Sequence, residues 1–238
     1  PTSTCRQHHD DPPRGRQKTS SKMTTTPHAT TVTSWGHHLR ARGLLWAAPG
    51  SIVAVLLAAV GADWIATRPH FDHWGRVPAV TLGALIVAIL ATATLNRADH
   101  ETEGSTPRPT PTAELAAVLG IATGCALLAA LAITDHPLQR GGLEMARNLA
   151  GLTGLALIGA SLAGPRLGWL LPFTYTSISY FSVARVYDNS PHQAVPGWLM
   201  FPATWPITHI AAGTLLLLGL LAWNLLGSTP RPRHHPLR

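Results

Sequence analysis

The chain reads as an all-α protein, a polytopic transmembrane helical bundle of about six spans, on three observations. Only 12% of its 238 residues are Asp, Glu, Lys or Arg, about half the share of an average soluble domain. Those charges are gathered into short hydrophilic stretches separated by long uncharged intervals. Most intervals approach the roughly 20 residues that a helix needs to cross about 30 Å of hydrocarbon. A lipid bilayer is therefore the expected solvent, because a helix closes its own backbone hydrogen bonds there and an unpaired charge is costly.

Residues 1–42 are rich in Thr, Ser, Pro, His and Arg without apolar periodicity, so they are expected to form a disordered basic tail. Met23 reads as a start, and 1–22 are set aside from the fold as upstream sequence. Trp35 to Arg42 fits a short interfacial helix on the inner surface. The membrane domain, 43–227, then holds spans at 43–62, 77–95, 115–134, 148–165, 167–184 and 206–227, followed by a cytoplasmic tail at 228–238. The fourth and fifth spans are divided only by Arg166. They are read as two helices, since one helix of that length overshoots the bilayer while Gly164, Pro165 and Arg166 supply a turn and a charge.

The flanking arginines set the expected orientation. With the N-terminus inside, Arg40, Arg42, Arg97, Arg108, Arg166, Arg231, Arg233 and Arg238 lie on the cytoplasmic side, against Arg68, Arg76, Arg140, Arg147 and Arg185 outside. Both termini are then cytoplasmic, as the positive-inside rule favours, in a multi-pass protein of the cell membrane. Trp46, Trp64, Trp74, Trp169, Trp198, Trp205 and Trp223 fall near span ends or in connections, where aromatic belts form. Cys5 and Cys125 do not share a compartment in this layout, so no disulfide framework is implied; Cys125 reads as a small lipid- or helix-facing residue.

Helices in lipid associate through close packing more than through apolar burial. Ala116, Gly120 and Gly124 on the third span and Ala156, Ala160 and Gly164 on the fourth recur every four residues and are the expected packing seams. The fifth span carries Thr174, Tyr175, Thr176, Ser177, Ser179, Tyr180 and Ser182. Such hydroxyls either line a polar pathway or bond back to their own helix; Thr174, Tyr175, Ser177, Ser179 and Tyr180, with His209 of the sixth span, are the candidate pathway or helix-contact residues. The connection from Arg185 to Trp205 holds Trp198, Leu199, Met200, Phe201 and Trp205 and is expected to dip into the outer interface.

Several chemistries are disfavoured. Asp63, Asp72, Asp99, Glu101, Glu103, Glu114, Asp135, Glu144 and Asp188 fall at span ends or in loops, which leaves no buried acidic relay for ion coupling. A P-loop needs a lysine after its glycine-rich turn, and no lysine follows Lys22. Basic residues flank apolar segments and form no stripe interleaved with aromatics, so no nucleic acid is expected. Ser161 and His209 look superficially like the dyad of rhomboid proteases, but about 1.5 Å per residue places them more than about 10 Å apart in depth. His70 and His73, with Asp72 or Asp63 and with His136 in the next outer connection, suggest metal ligands only loosely, and the chain uses His freely elsewhere. No catalytic residue, cofactor or metal is assigned, and the chain is not expected to be an enzyme.

Six spans with both ends inside, a helix before the first span, a polar inner connection from Asn96 to Thr112 and an aromatic stretch between the last two spans together resemble the permease subunits of ABC-2-type transporters. The segment Arg147 to Pro172, RNLAGLTGLALIGASLAGPRLGWLLP, is similar to segments of permease-like membrane proteins. The resemblance implies a subunit of an ATP-driven transporter, energised by a separate ATPase and paired with a like or unlike permease. The other class that fits is a non-transporting membrane protein, an immunity, anchoring or assembly factor that acts through helix contacts.

Overall fold

The computed structural model describes residues 43–68, 76–95, 111–133, 141–183 and 196–227. Within them the chain forms α1 (Leu44–Ala66), α2 (Arg76–Ala93), α3 (Pro111–Ala132), α4 (Gly142–Ala163), a 3-10 turn (Pro165–Leu167), α5 (Leu170–Val183) and α6 (Pro206–Ala222), which passes into a π-helical turn (Trp223–Gly227). No strand occurs among the described residues. The tails 1–42 and 228–238, the interfacial helix 35–42 and the His70 to His73 group with His136 lie outside them, as do residues 96–110 of the inner connection.

Four of these helices are long and apolar enough to cross a membrane, and Val77–Ala93 is a shorter apolar one. The expected polytopic helical bundle is the observed architecture. Boundaries moved where polar residues begin a helix. α3 starts four residues before the expected 115, and Glu114 lies buried in its first turn. α4 starts six residues before the expected 148, which brings Glu144 and Arg147 inside the helix. A reading by hydropathy stops at a charge. The chain does not stop there, because these side chains find partners within the bundle.

Between α4 and α5 the helix breaks, as the two-span reading requires. Gly164 caps α4 at φ 97°, a conformation a side chain at this position would strain. The described part of α5 has 14 residues, about 21 Å of rise, so it is shorter than the expected 167–184.

α4 is the central element. Of its most apolar window, 78% is buried, against 17% for α6. α1 and α2 run antiparallel: a methyl at Gly50 would meet Leu90, and one at Gly61 would meet Ala79. α4 and α6 run parallel, since Arg147 bonds Thr208 and Gly154 abuts Leu215 and Gly219. At the far end, Ala91, Leu95, Leu115, Val118, Leu157, Ala160 and Trp223 form one cluster. Residues from the ends of α2, α4 and α6 and the start of α3 share it, as alternating crossings require.

The two expected packing seams fare differently. Ala156 and Ala160 are buried, and both adjoin Gly168 in the turn before α5. Ala116, Gly120 and Gly124 face outward, with open space before both glycines. The tightest seam is elsewhere, at Gly154 and Gly219, whose added methyl groups would overlap the partner backbone. Cys125 faces the bundle and belongs to its core.

Apart from the half-buried Trp205, the tryptophans among the described residues divide into two groups. Trp46 is 84% exposed and Trp64 55% exposed; they stand about 27 Å apart along α1, close to the hydrocarbon thickness. Trp169 is also exposed, whereas Trp198 and Trp223 are buried and pack inside the bundle, not in a belt.

Candidate functional site

At the end of the bundle where α4 and α6 begin, a polar cluster is built on one face of α4. Glu144, Arg147 and Asn148 stand at positions i, i+3 and i+4, which a helix stacks on one side. All three are buried, Arg147 to 4% exposure and Glu144 to 8%. Burying a guanidinium and a carboxylate is costly unless each is hydrogen-bonded, and here each is.

The Arg147 guanidinium donates Nη1 to Thr208 Oγ1 at 2.8 Å. It also donates Nε and Nη2 to Asn148 Oδ1 at 3.2 and 3.0 Å. With its amide oxygen so occupied, Asn148 turns its Nδ2 outward, donating to the Leu199 carbonyl at 3.2 Å and to Thr81 Oγ1 at 3.4 Å. Glu144 accepts Gly141 N–H on Oε2 at 2.8 Å and Ala203 N–H on Oε1 at 2.9 Å. Its place in the first turn of α4 also suits the positive end of the helix dipole. Thr208, itself wholly buried, donates its hydroxyl to the Trp205 carbonyl at 2.7 Å.

These bonds converge on residues 196–205. The stretch was expected to dip into the interface, and the structure carries it farther: Trp198, Leu199 and Met200 belong to the main hydrophobic core beside Met145, Leu149 and Leu152. Trp198 seats its six-membered ring directly against Gly151, where any side chain would overlap it. The indole also stacks with Tyr175, with ring centroids 6.1 Å apart and planes 22° apart.

The hydroxyls of α5 do not line one path. Successive residues of a helix point about 100° apart, so the run of Thr, Tyr and Ser is divided between two faces. Tyr175, Thr176 and Ser179 turn toward the bundle, while Thr174, Tyr180 and Ser182 are exposed. Tyr175 Oη donates to the Pro196 carbonyl. Ser177 bonds back to the Phe173 carbonyl at 2.9 Å, the local reading of such hydroxyls. Tyr180 packs edge-on against Phe181. From α6, His209 Nε2 donates to the Ala203 carbonyl at 2.9 Å, so of the predicted candidates Tyr175 and His209 join the cluster's far rim.

The sequence places Glu144 and Arg147 outside the spans and Asn148 at the start of one, whereas the carboxylate and the guanidinium lie buried within α4. Their i, i+3, i+4 spacing, continuous with the apolar face that follows, was the signal available. The serine and histidine considered as a dyad are far apart, since α4 and α6 are parallel and Ser161 lies near the end of one while His209 lies near the start of the other. Ser161 donates to the Leu157 carbonyl. Among the described residues no group of three or more His, Cys, Asp or Glu is placed to hold a metal.

No family model, curated protein or solved structure matches this chain.

Proposed function

We propose that the chain is a permease-like, membrane-spanning subunit of an ATP-driven transporter in the cell membrane, energised by a separate ATPase. The observation that carries this reading is the aromatic segment 196–205, which enters the bundle between the last two helices and is fastened to the central helix at one end. A segment of that kind in that place is what the resemblance to ABC-2-type permeases calls for. The centre of the bundle is filled by α4 and its neighbours, so a transport path belongs between this chain and a second permease, like or unlike, rather than through one copy. The outward small-residue face of α3 leaves room for close helix approach to such a partner.

The test is to purify the chain from its native membranes with its partners and measure nucleotide hydrolysis. The expected result is a bound ATPase whose turnover changes severalfold when this chain is removed. Recovery of a solitary chain without a nucleotide-dependent partner overturns the reading. The same filled interior favours a second reading, a non-transporting membrane protein acting through helix contacts, and the solitary chain is the result that supports it.

A further inference from the structure

The end of α1 carries an exposed cation whose donors are unused. Arg68 follows the Thr67 cap and keeps to the helical path, its backbone N–H donating to the Ile65 carbonyl at 3.1 Å. Its guanidinium lies over the Trp64 ring, 4.7 Å from the centroid, the stacked arrangement that a planar, weakly hydrated cation favours. Among the described residues no oxygen accepts from that guanidinium, and the Trp64 carbonyl is taken by the Thr67 hydroxyl at 2.8 Å. Trp64 and Arg68 are both exposed. The ring thus holds one face of the cation and leaves its edge, where the N–H groups point, open to the surroundings.

Depth says what those surroundings are. Trp46 and Trp64 stand apart by about the hydrocarbon thickness, so Trp64 marks one edge of the hydrocarbon. Arg68 lies about one turn farther, about 6 Å along the axis, which places it within a headgroup layer about 5–7 Å deep on each side. The anionic acceptor in that layer is the lipid phosphate, which a guanidinium meets with two parallel N–H donors. Asp63, one position before Trp64, is also exposed and weighs against selection by net charge. The group recognised is then the phosphodiester itself, in a zwitterionic lipid as well as in an anionic one.

We propose that Trp64 and Arg68 form a seat for the phosphodiester of one glycerophospholipid, the guanidinium binding the phosphate oxygens and the indole holding the guanidinium at the hydrocarbon edge. The seat fixes how deep α1 rides in the bilayer. It rests on the membrane-spanning fold and is independent of any transport role.

The experiment uses the full chain in dodecyl maltoside, titrated with dioleoylphosphatidylcholine or with dioleoylglycerol, which has the same tails and no phosphate; native mass spectrometry counts the lipids retained. The parent is expected to hold one phosphatidylcholine at least about fivefold more tightly than Arg68→Gln does, and to hold dioleoylglycerol equally. Arg68→Lys, a cation without the planar fork, is expected to fall between. Trp64→Leu keeps the cation and an apolar side chain and is expected to loosen the phospholipid severalfold. Arg166→Gln removes an exposed arginine at the opposite end of the bundle and is expected to match the parent. The proposal is overturned by phosphatidylcholine retention that ignores Arg68→Gln, or by an equal loss with Arg166→Gln, which makes retention a property of any interfacial charge. Inorganic phosphate at millimolar concentration is expected to leave retention unchanged; displacement makes the ligand a free phosphate and overturns the lipid assignment. The replaced side chains are all exposed, so each variant is expected to fold, and far-ultraviolet circular dichroism checks that it does.

Discussion

Thr153 and Thr208 are both wholly buried threonines, and they differ in what their hydroxyls do. Thr208 accepts from Arg147 and donates to the Trp205 carbonyl, while Thr153 Oγ1 has no partner among the described residues. Thr208→Val removes an acceptor from a buried guanidinium and is expected to destabilise the chain by about 1–3 kcal/mol. Thr153→Val keeps the shape and removes an unsatisfied hydroxyl, so it is expected to be neutral or stabilising by about 1 kcal/mol. Thermal unfolding of the two variants in the same detergent checks the contrast: the transition falls for Thr208→Val and holds or rises for Thr153→Val. At this scale the sequence was least legible. The polar types were visible, but a threonine beside an arginine on another helix, 61 positions away, carries no local mark.

At the scale of the helix, the small residues show why a repeat of Ala and Gly does not by itself identify a seam. Small-xxx-small spacing says that a helix can be approached closely, and says nothing about which neighbour approaches. Gly154 and Gly219 meet backbone to backbone, so Gly154→Val is expected to force α4 and α6 apart and cost several kcal/mol, roughly the scale of severe overpacking. Gly120→Ala and Gly124→Ala meet open space within a helix and are expected to hold or slightly raise the isolated chain's unfolding temperature. A drop confined to the assembled complex would reveal a partner on that face. Gly164→Ala is expected to destabilise by about 1 kcal/mol or more, because φ 97° opposes a Cβ whatever space surrounds it; the same unfolding measurement reads it.

For the molecule as a whole, the bilayer has a place written on α1. Trp46 and Trp64 are expected to be quenched by lipids brominated near the headgroup, while Trp198 and Trp223, packed among helices, are expected to be quenched little; single-tryptophan variants separate the signals. The alternation of crossings makes a second demand. With Cys5 replaced by serine and Cys125 by alanine, Thr67→Cys at the end of α1 and Ala93→Cys at the end of α2 are expected to label from opposite faces of sealed vesicles. Labelling of both from one face would break the two-crossing reading of α1 and α2.

Helical class, the count of about six helices among the described residues and the break at Gly164 to Arg166 were readable along the chain, since the length and apolarity of a span answer to the hydrocarbon thickness and hold for each segment alone. The start of α4, the place of Arg147 and Glu144, and the depth reached by Trp198 were not readable in that way. A charge is expelled from lipid when isolated and retained when neighbours complete its hydrogen bonds, and those neighbours come from α2, α6 and the 196–205 stretch. The pairing of distant polar groups, and the choice of which glycine meets which backbone, therefore exist only once the helices have packed.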